Sequence, residues 1–175
     1  MSVEIFIMDS LNLISYNMHG FKNGCNTVRD LLDHNVIIAL QEHWLRNDNL
    51  CQVGTFRDDC AYYGVCGMTV NAGLGLVSGT PYGGVGFVWH KSWSPFVHAV
   101  GKDSLGHCCA VTITANNRQI FVINVYFPCF SQSAEYFNEL SECLCFIDDT
   151  LCNSMFSDAV TNFPCAEQNG GYKLL

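Results

Sequence analysis

The feature that most constrains the fold is a strand–helix–strand pattern near the start of the chain. Val36, Ile37, Ile38, Ala39 and Leu40 form an unbroken apolar run, the pattern of a strand buried on both faces. Upstream, residues 11–16 read as a second strand that ends at Asn17. Between the two, Gly20 and the polar group Lys22-Asn23-Gly24 make a loop. Asn26 or Thr27 then caps a short helix carrying Val28, Leu31 and Leu32 on one face, and His34-Asn35 ends it. A strand, a crossover helix and a strand of these lengths become parallel neighbours in one sheet. Asn17 and Glu42 therefore leave the sheet side by side at the same edge.

Further along, residues 54–84 are glycine-rich and weakly periodic, which suits a flexible connection. Gly73-Leu74-Gly75 has the glycine spacing of a phosphate-binding loop but lacks its context, a strand before and a helix after. Instead, Pro81-Tyr82-Gly83-Gly84 leads into a strand over residues 85–89. A short strand is expected over residues 96–100 and two longer ones over 108–115 and 119–125. Asn116-Asn117 joins the last two as a hairpin turn, since Asn tolerates positive φ. Ser131 or Ser133 caps a helix reaching about residue 148, with Tyr136, Phe137, Leu140, Leu144 and Ile147 at helical spacing. Residues 157–163 read as one more strand and residues 164–175 as an unstructured tail. The sum is an α/β fold with more strand than helix and mixed pairing, in one domain over residues 11–163.

Charge limits the function classes. The chain carries eight Lys and Arg and a net charge of −8. That disfavours a protein whose affinity rests on gripping nucleic-acid phosphates through counterion release. It does not disfavour a nuclease in which a metal bridges enzyme and phosphate. No apolar run is long enough to span a membrane. Eleven cysteines do not make a disulfide scaffold here: the number is odd, no CxxC occurs, no secretory leader precedes them and the core is not poor. They read as reduced core residues, which points to the cytosol or nucleus. Cys143 and Cys145 are the closest pair, and on a helix that spacing sends two ligands to different faces, so no zinc site is expected between them.

Three phrases end strand-like runs, where sheet-based enzymes place converging side chains. They are Ser15-Tyr16-Asn17-Met18-His19-Gly20, Leu40-Gln41-Glu42-His43-Trp44-Leu45 and Ile123-Asn124-Val125-Tyr126-Phe127-Pro128. A Glu and an Asn at adjacent strand ends are suitable oxygen ligands for Mg²⁺, which needs only one or two carboxylates. Taken singly, Glu42 suits a solvated loop, Asn17 a turn and Tyr126 a strand aromatic. Tyr126 can also orient a phosphate with its hydroxyl. His19, His43 and His90 lie nearest these phrases and read as surface or packing residues, while His34, His98 and His107 have no acidic partner at a diagnostic spacing.

With the order of these phrases in view, the chain resembles the endonuclease/exonuclease/phosphatase superfamily, and most closely the endonuclease domain that non-LTR retrotransposons carry. Asn17 with Gly20 is similar to its first motif, Gln41-Glu42 to its second, the segment from Pro81 to Phe87 to the strand entry of those elements, and Asn124, Tyr126 and Pro128 to its Asn-x-Tyr-x-Pro motif. The resemblance implies an α/β sandwich of two mixed sheets flanked by helices, incomplete here because the family's C-terminal half is missing. It implies that Glu42 and Asn17 hold a catalytic Mg²⁺ (or Mn²⁺), that Asn17 and Tyr126 bind the phosphate, and that the partner is DNA, cut by an activated water. The family also uses a Gly-Asp-x-Asn and a Ser-Asp-His. Neither occurs after Tyr126, and the last histidine of the chain is His107. Loss of a general base alone costs about 10²–10⁴-fold in rate, roughly 3–5 kcal/mol of barrier, so little activity is expected of this form.

Two other readings compete. The low Lys and Arg count suits a phosphatase or phosphodiesterase acting on a small phosphoester. A non-catalytic binding module or decayed fragment would instead leave a sheet face and an open edge bare and self-associate through them.

Overall fold

The computed structural model describes residues 11–67, 82–115 and 118–157. Seven strands form two sheets. In the first, β1 (Asn12–Asn17), β2 (Val36–Gln41), β3 (Cys60–Val65) and β4 (Val85–His90) take the order β1-β2-β4-β3. In the second, β5 (Val97–Lys102), β6 (Cys108–Ala115) and β7 (Arg118–Val125) form an antiparallel meander in sequence order.

The strand–helix–strand unit is as expected. β1 and β2 run parallel with Asn17 opposite Gln41, and β4 pairs antiparallel with both β2 and β3. The central strand β2 is buried along its whole length. Its alternate side chains serve two cores. Ile37 and Ala39 pack with Val85, Phe87 and Trp89 of β4 and with Cys109, Val111, Ile113 and Val122 of the second sheet. Val36, Ile38 and Leu40 face the opposite way and pack with Val28 and Leu32 and with Leu45, Val53 and Phe56. One core therefore fills the sandwich and the other lies between the first sheet and helix α1 (Phe21–Leu31). Helix α2 (Ala134–Ser157) meets the second sheet, with the Phe146 ring against Gly101 of β5. This is an α/β two-sheet sandwich in which the first sheet is mixed, while the second, expected to be mixed as well, is wholly antiparallel.

Several boundaries differ from expectation. α1 begins at Phe21, so Lys22-Asn23-Gly24 is helix rather than loop, and neither Asn26 nor Thr27 is its cap. Gly20 starts it without a side-chain hydrogen bond, because tertiary bonds fix that end: the Gly20 and Phe21 amides donate to the carbonyls of Glu42 and His43 at 2.8 and 2.9 Å. Gly24 is required for the same docking, since a Cβ there would sit 2.8 Å from Met18 Cβ. The weakly periodic stretch contains β3, preceded by a 3₁₀ segment, Leu50–Thr55. α2 runs past residue 148 to Ser157, the position expected to open a further strand. The rest of that strand, the tail, Asn116-Asn117 and Gly73-Leu74-Gly75 lie outside the described residues. The sheet face expected to be bare is covered where β6 passes under α2: Cys108, Ala110 and Thr112 are all buried. No helix among the described residues is long and apolar enough to cross a membrane.

Candidate active site

The three phrases meet. Asn17 ends β1, Glu42 comes directly after β2, and Tyr126 directly after β7, so each side chain sits where its strand has just released the backbone. The parallel ladder continues beyond the strands as the Met18 amide donates to the Gln41 carbonyl at 2.8 Å. The backbone then leaves ordinary conformations. His19, Glu42 and Trp44 have φ of 51°, 51° and 54°, the left-handed region. Side chains other than Gly enter it at a cost of order 1–3 kcal/mol and only when neighbours enforce it. Here the neighbours do so. The His19 amide donates to Asn17 Oδ1 at 3.0 Å, and the Trp44 amide donates to the Gly83 carbonyl at 3.0 Å. Gly20, at φ 93°, lies so close to the Trp44 ring that a Cβ would come within 2.5 Å of Cε3.

Glu42 is the focus. It is only 9% exposed. Burial raises its pKa, but hydrogen bonds from Tyr126, Asn17 and His19 outweigh it and hold the carboxyl below its ordinary range. His19 Nδ1 lies 3.0 Å from Glu42 Oε2, while the imidazole itself is largely in solvent. The Tyr126 hydroxyl donates to the same carboxylate. That bond is the main reason its phenol pKa is pushed well up, with burial second. All three expected residues, Asn17, Glu42 and Tyr126, therefore converge on one ionised carboxylate.

Two residues of these phrases do structural work. Asn124 is completely buried on β7 and ties the two sheets together. Its Nδ2 donates to the Leu40 and Gly86 carbonyls, both at 2.8 Å, and its Oδ1 accepts from Gln41 Nε2 at 2.6 Å. It thereby fixes Tyr126, two residues later, relative to Glu42. His43 is also completely buried, so of the packing and surface roles open to it packing is the one it takes. Its Nδ1 accepts from the Leu45 amide at 3.0 Å, so Nε2 carries the proton and donates to the Val65 carbonyl at 3.0 Å. Desolvation, partly offset by bonds to backbone carbonyls, lowers its pKa to about 4 and keeps it neutral.

Sequence spacing missed His19 as a site residue, because adjacency to Asn17 says nothing about reach to Glu42 across 23 residues. It also left His107 without an acid, yet the fold sets His107 Nε2 3.8 Å from Glu139 Oε2 on α2, with Nδ1 donating to the Tyr126 carbonyl at 2.9 Å. His90 likewise faces Asp59 at 3.3 Å.

The donor chemistry suits a hard divalent cation. One buried, ionised carboxylate is surrounded by hydrogen-bond donors, with no Lys or Arg among the described residues as its partner, and an Asn amide stands beside it. Mg²⁺ sites commonly have one or two carboxylates and complete their shell with water and substrate phosphate. Glu42 is the oxygen ligand this arrangement offers directly; the Asn17 amide donates to it while its Oδ1 accepts from the His19 amide, so Asn17 would ligate only after turning its oxygen toward the ion.

No family model matches the chain, and no curated protein matches its sequence. Solved structures do match its fold. The chain is similar to a Neisseria 3′ phosphatase, NExo, bound to product DNA hairpin, with TM-score 0.56, 17% identity, and coverage of 84% of this chain and 53% of that one. It is also similar to the 3′-5′ exonuclease NExo from Neisseria meningitidis, with TM-score 0.54, 18% identity, and coverage of 82% and 52%. The chain thus has the two-sheet α/β fold of these nucleases and phosphatases and spans about half their length.

Proposed function

We propose that this chain carries the metal- and phosphate-holding part of a phosphodiester hydrolase site acting on DNA, of the endonuclease type carried by non-LTR retrotransposons. The observation that carries the reading is the convergence of Asn17 and His19 from the end of β1, and of Tyr126 from the end of β7, on the Glu42 carboxylate at the end of β2. A fold shared with a 3′ phosphatase that binds DNA and with an exonuclease supports it. In this reading Glu42 and Asn17 hold Mg²⁺ or Mn²⁺, which when bound supplies Lewis-acid stabilisation of phosphoryl charge and an acidified water. Tyr126 keeps its proton, and once a cation takes the Glu42 carboxylate its single O–H turns to a phosphate oxygen. The exposed His19 imidazole stands beside the same carboxylate and can meet the substrate phosphate from solvent.

The chain holds no Gly-Asp-x-Asn and no histidine beyond His107. The residues present are those that would hold metal and phosphate, and how fast they turn substrate over is read by a nicking assay. Eleven cysteines in an odd number and without a CxxC pair fit a reducing compartment, cytosol or nucleus.

The test combines Mn²⁺ binding, monitored by electron paramagnetic resonance, with Mg²⁺-dependent plasmid nicking. A single Mn²⁺ site that disappears in Glu42→Gln, with nicking absent or very slow, is expected. Undiminished Mn²⁺ binding by Glu42→Gln would sink the reading. A net charge of −8 favours a second reading, in which the substrate is a small phosphoester rather than DNA. Glu42-dependent release of phosphate from such an ester, with DNA untouched, would select it.

A further inference from the structure

A second cluster of metal-ligating side chains lies where α2 meets the second sheet. Asp103, Cys108 and Cys143 offer one carboxylate oxygen and two sulfurs, all within 4.8 Å of one another. They come from the turn after β5, the first residue of β6 and the middle of α2. Both cysteines are completely buried. The Cys108 thiol donates to the Cys143 sulfur, which raises the pKa of the first and lowers that of the second.

Asp103 is held in place before any ligand arrives. Its Oδ1 accepts from the amides of Gly106, His107 and Cys108 at 3.1, 3.1 and 3.0 Å. Among the described residues its Oδ2 accepts from the His107 amide alone, at 3.0 Å. A carboxylate has about four lone-pair sites, so Oδ2 keeps acceptor capacity. Backbone bonds that orient a ligating carboxylate are what metal sites require around their ligands.

The ordinary explanation is a turn closed by Asp103 beside two small core thiols. Two observations go beyond it. First, the spacing suits an ion. Metal–sulfur bonds of about 2.3 Å in tetrahedral geometry place two sulfurs about 3.8 Å apart, within the 4.8 Å that spans all three ligand atoms. Second, α2 is thinly anchored. Between residues 134 and 153, Cys143 and Thr150 alone are buried. A bridge from Cys143 to β6 would fasten the helix at the middle of that stripe.

We propose that Asp103, Cys108 and Cys143 form a binding site for a thiophilic divalent cation, Zn²⁺ by its ligand preferences, which staples α2 to the second sheet. Binding converts two thiols and Zn²⁺ into a dithiolate complex and releases two protons to solvent. Asp103 gives the third ligand and water the fourth. The site is independent of Glu42 and of the function assigned to it.

The experiment uses the full reduced chain, stripped with a chelator and titrated with Co²⁺, then Zn²⁺. One equivalent of Co²⁺ should give a thiolate-to-cobalt charge-transfer band that Zn²⁺ displaces. Cys143→Ser and Cys108→Ser should each abolish it. Asp103→Asn, which keeps the turn's Oδ1 acceptor, should weaken affinity at least tenfold. Cys145→Ser, an exposed thiol on the same helix, should leave the band intact. Circular dichroism of the metal-free variants separates lost ligands from lost folding. If the cysteine variants fail to fold, the Asp103→Asn affinity decides. No band, a band that survives loss of Cys143, or unchanged affinity in Asp103→Asn overturns the proposal. So does a Cys108–Cys143 disulfide that forms equally fast with and without Zn²⁺.

Discussion

Replacing Asn124 with Leu should be among the most damaging single changes to the fold. Leu is close to Asn in shape, so the change removes hydrogen bonds without opening a large cavity. Three bonds disappear: those to the Leu40 and Gly86 carbonyls and that from Gln41 Nε2. All three partners belong to β2 or β4, in the buried interior of the sandwich. Each buried group left without a partner costs about 1–3 kcal/mol; Gln41 Nε2 retains the Ala39 carbonyl as acceptor, so the Leu40 and Gly86 carbonyls carry most of the loss. Some relaxation and overlap among the three puts the expected loss at about 3–5 kcal/mol. With a urea m-value of about 2 kcal/mol per M, the midpoint should fall by roughly 1.5–2.5 M. A double-mutant cycle with Gln41→Leu isolates the 2.6 Å bond between the side chains, and the expected coupling is about 1–2 kcal/mol. A loss below about 1 kcal/mol, or strict additivity in the cycle, would refute the idea that Asn124 pins the sheets together.

Other changes test the site and its surroundings. His43 is neutral when folded, with a pKa of about 4 against 6.5 unfolded. The unfolded chain therefore binds more protons between those values, and stability should fall by about 3 kcal/mol as pH drops from 6.5 to 4; urea melts across this range should show the slope, and His43→Gln should flatten it. Tyr126→Phe removes a donor that holds the Glu42 carboxyl low, so its pKa should rise, as carboxyl-carbon NMR would read. Glu42's contribution to stability is complete above its ordinary value of 4.5 and is lost as pH falls through the folded pKa; in Tyr126→Phe that loss should be smaller and should end at a higher pH. Gly84→Ala places a Cβ at φ 84°, within 3 Å of three His43 ring atoms, and should cost several kcal/mol by thermal melt; wild-type stability would mean that His43 is not fixed there.

How much was legible in the sequence depended on whether the information was local. Residues 36–40 announced β2 because a strand buried on both faces needs apolar side chains at every position, and β2 has two cores to fill. The start of α1 was hidden because no side chain caps it. Bonds to Glu42 and His43 hold it instead, and those residues lie about twenty positions away. β3 was hidden because Gly64 interrupts its alternation. That glycine is a packing requirement set by β4, since a Cβ there would sit 2.8 Å from the Val85 carbonyl oxygen. Asn17, Glu42 and Tyr126 were legible as strand-end residues. His19 and the His107–Glu139 pair were not, because their partners are set by tertiary placement rather than by spacing.

The same distinction explains where the backbone is strained. Among non-glycine described residues, positive φ occurs at His19, Glu42 and Trp44 and nowhere else. Two of these contact or are the central carboxylate, and the third packs over Gly20. A strand that simply continued would send Glu42 to the opposite face of the sheet, in keeping with the period-two alternation of side chains. The left-handed turn at Glu42 re-aims its carboxylate toward the end of β7, where Tyr126 waits. At His19 it turns the imidazole back onto that carboxylate. The cost, of order 1–3 kcal/mol per residue, is carried by the two-sheet core and by the zipper of Met18, Gly20 and Phe21 amides onto residues 41–43. A solvated loop glutamate would need none of this. The energy spent on orienting Glu42 is the physical ground of the proposal that it binds a ligand.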